Sequence, residues 1–450
     1  MTSSSYTTEY AEVARVLPST PDSRLSTPES AWERTTWIAA ATQFVTLIGF
    51  GLSIPFLPLY VQALGITDRA QVALWSGILA GSAALTMAVM APVWGMLADR
   101  YGRKPMLVRS MLGGALLIAA MGYVTDVWQL FGLRLAQGAV TGSQAAAAAL
   151  VAAMAPASQV GFALGLVGTA VQIGNTVGPA LGGASVGQLG FRGAFVLGGL
   201  MLLVGGLVAL LWVEEPPRPV HGASSPVRGG RVPVRDDLVE PRTGAGTLVA
   251  RTLKPFGWAG FREILILQLG TQFVFSAAVG LLPLYLQDMQ RPGWLSTEVA
   301  SGLAITLTAI TAALSMPFLG RWTDRHGPYG LLIGSLVGCG LVLTVQALVP
   351  TIGVFMVLRG VLGVCVAGVT ATLSVLTKRL APLGREGAAY GAAGSAQGLG
   401  WGVGPILGSA VVAIAGIPLL YLVCAAVMAA LAGLAGTTCR GMIRLTDAAL

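Results

Sequence analysis

Few groups in this chain could transfer a proton, hold a metal or attack a substrate: 19 Asp and Glu, two His and four Cys in 450 residues. Where they fall limits the chemistry further. The carboxylates lie in polar stretches or at the edges of long apolar runs, and Asp99, Asp126, Glu263, Asp288, Glu298 and Asp324 come nearest to those runs. His221 and His326 lie in polar segments. Cys339, Cys365, Cys424 and Cys439 lack a metal-ligand spacing, and three of them sit in apolar runs, where a free thiol behaves as a small buried hydrophobe. The glycine-rich stretch 398–404 follows no strand, so it is not a nucleotide fingerprint. With no nucleophile–base spacing either, the residues argue against an enzyme, and no metal or cofactor is expected.

Two features remain. Arg134 and Arg359 stand inside apolar runs, where a charge is costly unless it faces the protein interior or a water-filled cavity. Arg134 opens Arg134-Leu135-Ala136-Gln137-Gly138; it could serve a cavity or be held structurally by backbone carbonyls, and for Arg359, which lacks the following Gln, the structural role is favoured. The second feature is the stretch Gly95-Met96-Leu97-Ala98-Asp99-Arg100-Tyr101-Gly102-Arg103-Lys104, a charged turn wedged between two apolar runs. Gly95 and Gly102 suit close helix approach and a tight turn.

The elements that must position these residues are membrane-length. The composition is 54% hydrophobic and 10% charged, whereas a soluble domain carries about 25% charged residues. Such a chain has too little charge to cover a water-exposed surface, so the class is an all-α membrane protein in contact with a lipid bilayer. The net charge of +8 is then loop charge rather than a sign of nucleic acid. A crossing needs about 20 apolar residues. Twelve such runs are predicted, near 36–62, 73–98, 105–124, 127–153, 161–186, 191–213, 262–287, 296–320, 329–349, 352–377, 387–412 and 417–436. The predicted organisation is a disordered tail (1–35), a six-helix bundle (36–213), a Pro-, Gly- and Arg-rich linker (214–261), a second six-helix bundle (262–436) and a short tail (437–450). Of the 27 Lys and Arg, one set of loops holds only Arg69, Arg192 and Arg291, two lie within spans, and the rest fall on the side of the linker and both tails. The positive-inside rule places that side in the cytoplasm.

The two bundles are copies. Pro58-Leu59-Tyr60-Val61-Gln62 ends the first span and Pro283-Leu284-Tyr285-Leu286-Gln287 the seventh, 225 residues on. The charged turn recurs in the same register as Gly320-Arg321-Trp322-Thr323-Asp324-Arg325-His326-Gly327, and Arg134 is mirrored by Arg359. The spacing of Gly165, Gly174, Gly178, Pro179 and Gly182 recurs as Gly391, Gly400, Gly404, Pro405 and Gly408. Parallel repeats about an axis along the membrane normal are a transporter arrangement, with the binding site between the halves near mid-membrane.

On these motifs the chain resembles the major facilitator superfamily over residues 36–436, and its multidrug-resistance drug:proton antiporter branch in particular. The resemblance implies a twelve-helix transporter in the cell membrane, both termini cytoplasmic, acting as a monomer on a small molecule with protons as the coupled ion. It implies that Gly95, Asp99, Arg100, Gly102 and Arg103 form a latch, Asp99 docking on the start of the eleventh helix in the outward-open state. Asp324 and Arg325 form a weaker second latch. It also implies a proton-coupling role for Arg134 and Gln137 with Asp99 or Asp126, since no carboxylate sits at mid-membrane. Gly165, Gly174, Gly178, Pro179, Gly182 and Gly183 match the antiporter motif of the fifth helix, expected where the halves meet. Gln43, Gln172, Asn175, Gln268, Gln272, Phe275, Gln397 and Trp401 are the candidate cavity residues. Export of lipophilic compounds is the favoured reading. Uptake or facilitated transport of a sugar or organic anion, and a receptor or scaffold on the same fold, stay open.

Overall fold

A computed structural model of the chain describes residues 29–156, 159–215, 260–289, 295–381 and 386–447. The expected tail up to residue 28, nearly all of the expected linker and residues 448–450 lie outside the described residues. The described residues form helices without a strand. In order these are α1 (Glu29–Gly51), α2 (Leu57–Ala63), α3 (Arg69–Tyr101), α4 (Arg103–Met121), α5 (Val127–Val140), α6 (Ser143–Met154), α7 (Val160–Trp212), α8 (Phe261–Gly280), α9 (Leu282–Asp288), α10 (Thr297–His326), α11 (Pro328–Leu348), α12 (Ile352–Leu380) and α13 (Glu386–Asp447).

Apolar length and local chemistry explain these boundaries. Pro58, Pro283 and Pro328 occupy the first turns of α2, α9 and α11, where a missing N–H costs nothing. Asp68 caps α3 by accepting from the Gln71 backbone N–H at 2.8 Å. Gly102 and Gly327 end α3 and α10 with positive φ, +107° and +82°, so the charged turn keeps the same backbone in both copies. The first helix begins at Glu29, ahead of the expected boundary at 36, and buries Trp32 and Thr35. At the other end α13 runs to Asp447, past the expected end at 436.

Among the described residues nine helices are long and apolar enough to cross a membrane. Two are too long for one crossing. At 1.5 Å per residue the 53 residues of α7 would reach about 80 Å, against a hydrocarbon core of about 30 Å. Each of the two turns back at a glycine with positive φ, α7 at Gly190 (φ 69°, ψ 177°) and α13 at Gly416 (φ 82°, ψ 173°). Their limbs are the expected fifth, sixth, eleventh and twelfth spans. The expected fourth span is broken at Thr141 and Gly142 into α5 and α6.

Within each half the same contacts recur. Tyr60 donates to the Met121 carbonyl at 2.7 Å, and Tyr285 to the Gln346 carbonyl at 2.6 Å. The glycine stripe of α7 packs on α1 of its own half: an added Cβ at Gly178 would stand 3.0 Å from the Gly51 Cα, and one at Gly182 would meet Leu52. The mate stripe on α13, Gly400, Gly404 and Gly408, packs on α8 in the same way. The expectation that Gly174, Gly178 and Gly182 lie between the halves is therefore corrected. They bring helices of one bundle together, because backbones in lipid approach closely only through small residues.

Gly178→Val is expected to lower the stability of the detergent-solubilised protein by about 1–3 kcal/mol, the usual cost of overpacking. A thermal-unfolding scan beside Gly161→Val, whose site faces open space, checks this; equal midpoints would refute the packing role.

Candidate functional site

The charged residues were the first candidates, and the structure distributes them. Arg134 is 5% exposed on α5; its Nε donates to the Leu79 carbonyl at 2.9 Å and its Nη1 to Gln137 Oε1 at 2.5 Å. A chain carbonyl and a neighbouring amide thus take the place of water around a buried cation. Asp126 is exposed at the far end of α5, two helical turns from Arg134, and Asp99 lies at the linker end of α3. Of the expected coupling set, only Arg134 and Gln137 come together. Arg359 is 2% exposed on α12. The repeat mate of Gln137 is Leu362, and Arg359 Nε has no hydrogen-bond partner among the described residues.

The charged turn is braced by its own half. Glu215, just past α7, accepts from the backbone N–H groups of Arg103 (2.7 Å) and Lys104 (2.8 Å), so a carboxylate caps the positive end of α4. A Cβ at Gly102 would run into this carboxylate. Glu214 pairs with Arg34 of α1. Arg100 lies over the Tyr101 ring at 5.4 Å, and Arg325 is exposed. The side chains of Asp99 and Asp324, on which the expected latches turn, lie outside the described ones. Gly95, expected at a close helix approach, faces open space.

The halves meet on the side away from the linker. On α10, Gly302 lies against the Pro179 carbonyl, Thr306 donates to the Thr176 carbonyl at 2.8 Å, and the Glu298 backbone lies against Gly183. On α3, Gly77 and Gly81 lie against Pro405, Ser409 and Gly402 of α13. Thus Pro179 and Gly183 of the antiporter motif do face the other half. At the same end Gln62 Nε2 donates to Gln287 Oε1 at 3.1 Å, and Gln287 Nε2 donates back to Gln62 Oε1 at 3.0 Å. Arg69 donates to the Leu284 carbonyl at 2.7 Å and pairs with Asp288. Toward the linker the same helices separate: Gly95, Gly165, Gly168, Gly320, Gly391, Gly394 and Gly398 all face open space.

On the open side a cleft is lined by Gln268, Thr271, Gln272 and Phe275 of α8, Val369, Thr370, Leu373 and Ser374 of α12, and Gln397 of α13. The structure therefore brings together Gln268, Gln272, Phe275 and Gln397 from the expected cavity. Gln43 does not join them: it is fully buried between α1 and α6, where Ser143 donates to it at 3.2 Å. Gln172 and Asn175 are exposed on α7 outside the cleft, and Trp401, 50% exposed, is also outside it. The sequence reading missed Thr271, Thr370 and Ser374. Thr370 and Ser374 are four apart, one helix face, and that spacing was the available signal.

The Major Facilitator Superfamily profile matches residues 39–300 and 293–438. The chain is 31% identical over 397 residues to the multidrug resistance protein MdtG of Serratia proteamaculans, covering 88% of this chain and 92% of that protein. It is 29% identical over 383 residues to a multi-drug resistance efflux pump, the PmrA homolog of Lactococcus lactis, covering 84% and 88%. Among solved structures it is similar to a bacterial homolog of the human lysosomal transporter Spinster, with a TM-score of 0.72 at 15% identity, covering 93% of this chain and 99% of that one.

Each hydrogen bond of the reciprocal pair is worth about 0.5–1.5 kcal/mol net, so Gln62→Ala with Gln287→Ala is expected to raise the population opened on that side about tenfold. Spin labels on cysteines placed at Ala63 and Leu295 read this as a second, longer distance in double electron–electron resonance. An unchanged distance distribution would show that the pair does not hold the closure.

Proposed function

The chain belongs to the major facilitator superfamily, as a multi-pass membrane transporter of small molecules, and we propose that it exports drug-like lipophilic compounds across the cytoplasmic membrane by proton-coupled antiport. The linker face is assigned to the cytoplasm because it carries nearly all the Lys and Arg. Both termini then lie inside, and the cleft opens to the cytoplasm.

The observation that carries the reading is the one-sided closure. Two pseudo-symmetric halves touch through Gly77, Gly81, Pro179, Gly183, Gly302, Pro405 and the Gln62–Gln287 pair and part on the linker side, where the second half carries an uncharged cleft. That is one end state of alternating access, with cargo admitted from the cytoplasm. The Serratia and Lactococcus relatives are named for multidrug resistance, the second as an efflux pump, which supports the direction and the cargo class. The burial of Arg134 and Arg359 away from the cleft speaks against an organic-anion carrier, which would aim a cation at its cargo.

In this reading Arg134 and Gln137 are a structural pair that fixes α5 to α3. Asp99 is the coupling carboxylate: protonation frees it from the latch and lets the halves separate at the cytoplasmic face. Asp324 and Arg325 make the corresponding weaker contact. The protein works as a monomer, the two bundles supplying both sides of one pathway.

Cells producing the chain are expected to accumulate several-fold less ethidium than cells without it, and a protonophore or Asp99→Asn should erase most of the difference. Fluorescence of loaded cells checks both. Equal accumulation across several unrelated dyes would reject export, and export untouched by the protonophore would reject proton coupling.

A further inference from the structure

The cleft carries no formal charge, yet its hydrogen-bonding groups are not balanced. Three hydroxyls line it, and each spends its proton on a backbone carbonyl of its own helix: Thr271 on Leu267 (2.8 Å), Thr370 on Val366 (2.9 Å) and Ser374 on Thr370 (2.9 Å). A hydroxyl has one proton and two lone pairs. With the proton engaged, each presents only an acceptor to the cleft.

The amides are set the same way by a relay. Thr377 donates to the Leu373 carbonyl at 2.7 Å, so its oxygen must accept from the next group. That group is Gln268, whose Nε2 lies 2.9 Å from Thr377 Oγ1. Gln268 is thereby held with its carbonyl outward, and Gln397 Nε2 donates to that carbonyl. The chain of bonds ends at Gln397 Oε1, which has no partner among the described residues. The relay fixes both amide orientations, and bonds in such a series polarise one another. Of the groups lining the cleft, the three hydroxyls and Gln397 Oε1 can only accept, while the Gln272 amide brings an acceptor together with its N–H donors and Gln397 one further N–H. Phe275 supplies an aromatic face beside them.

We infer that the cleft selects planar compounds that donate N–H or O–H hydrogen bonds, whatever their net charge, and discriminates against analogues whose nitrogens are fully alkylated. The inference rests on the efflux reading only in taking the cleft as the place where cargo binds. Gln397 is the specificity-determining residue, and Gln268 with Thr377 positions it.

Proflavine and acridine orange test this. Both are cationic acridines; the first carries free ring amines and the second the same amines fully methylated. Their affinities for the purified full-length chain, read by fluorescence titration, give a ratio that cancels general lipophilicity when compared between variants. Loss of one hydrogen bond corresponds to about a fivefold change. Gln397→Leu and Gln268→Leu are each expected to shift the ratio about fivefold against proflavine. Ser374→Ala, at an exposed position whose hydroxyl bonds only its own helix, should shift it in the same direction and guards against a misfolded glutamine variant. A ratio unmoved by Gln397→Leu and Ser374→Ala, or equal losses for both dyes, would overturn the inference. If neither dye binds the purified wild-type chain while cells still extrude both, the inference fails and efflux stands. Binding with the expected ratio but no extrusion of any dye would sustain the inference and remove the efflux reading.

Discussion

The rest of the molecule depends on the close approach of backbones across the two halves, on the side away from the linker. Gly302 reaches the Pro179 carbonyl and Gly77 the Pro405 carbonyl because neither glycine has a side chain to interpose. In lipid the hydrophobic effect does not press helices together, so contact must come from packing and from hydrogen bonds such as Thr306 to Thr176. A joint of this kind is strong only where the surfaces match. It occupies one half of the membrane thickness and leaves the other half of each helix free of its opposite number, and that is what makes the cleft reachable.

The distribution of polar groups follows. Charge is kept out of the cleft: Arg134 is consumed by Leu79 and Gln137, Arg359 is buried in the second bundle, and the carboxylates stay at helix ends. What remains for recognition is neutral, three glutamines and three hydroxyls, and neutral groups discriminate by the direction of their hydrogen bonds. The helices themselves impose that direction, because a hydroxyl in lipid satisfies the carbonyl four residues back whenever nothing better is offered. The acceptor bias of the cleft is thus a by-product of burying Thr and Ser on helices.

Much of the architecture was legible in the sequence. The repeat offset, the membrane-length runs and the turn glycines Gly102 and Gly327 all reappear as backbone geometry, because they depend on local properties that a sequence displays. What was not legible depends on which side of a helix meets which neighbour. Gly174, Gly178 and Gly182 look like an inter-half stripe until α1 is seen against them, while Pro179 and Gly183, each about 100° around the same helix from the glycine before it, do reach the other half. Gln43 and Gln268 are repeat mates, yet one is closed in by Ser143 and the other opens a relay into the cleft. Polarity alone could not separate them. The Glu215 cap on α4 was hidden for another reason: it joins positions more than a hundred residues apart, and no periodic signal reports such a contact.

The Gln62–Gln287 contact has a symmetry reading. A primary amide is one of the few side chains that can pair with its own copy through two equal bonds, donating and accepting at once. Two copies of one six-helix unit facing each other across a two-fold axis would place the same glutamine opposite itself, the self-complementary patch of an isologous dimer. In the present chain the two glutamines are 225 positions apart and still meet in that way. The contact has the form of an isologous subunit interface carried inside a single polypeptide.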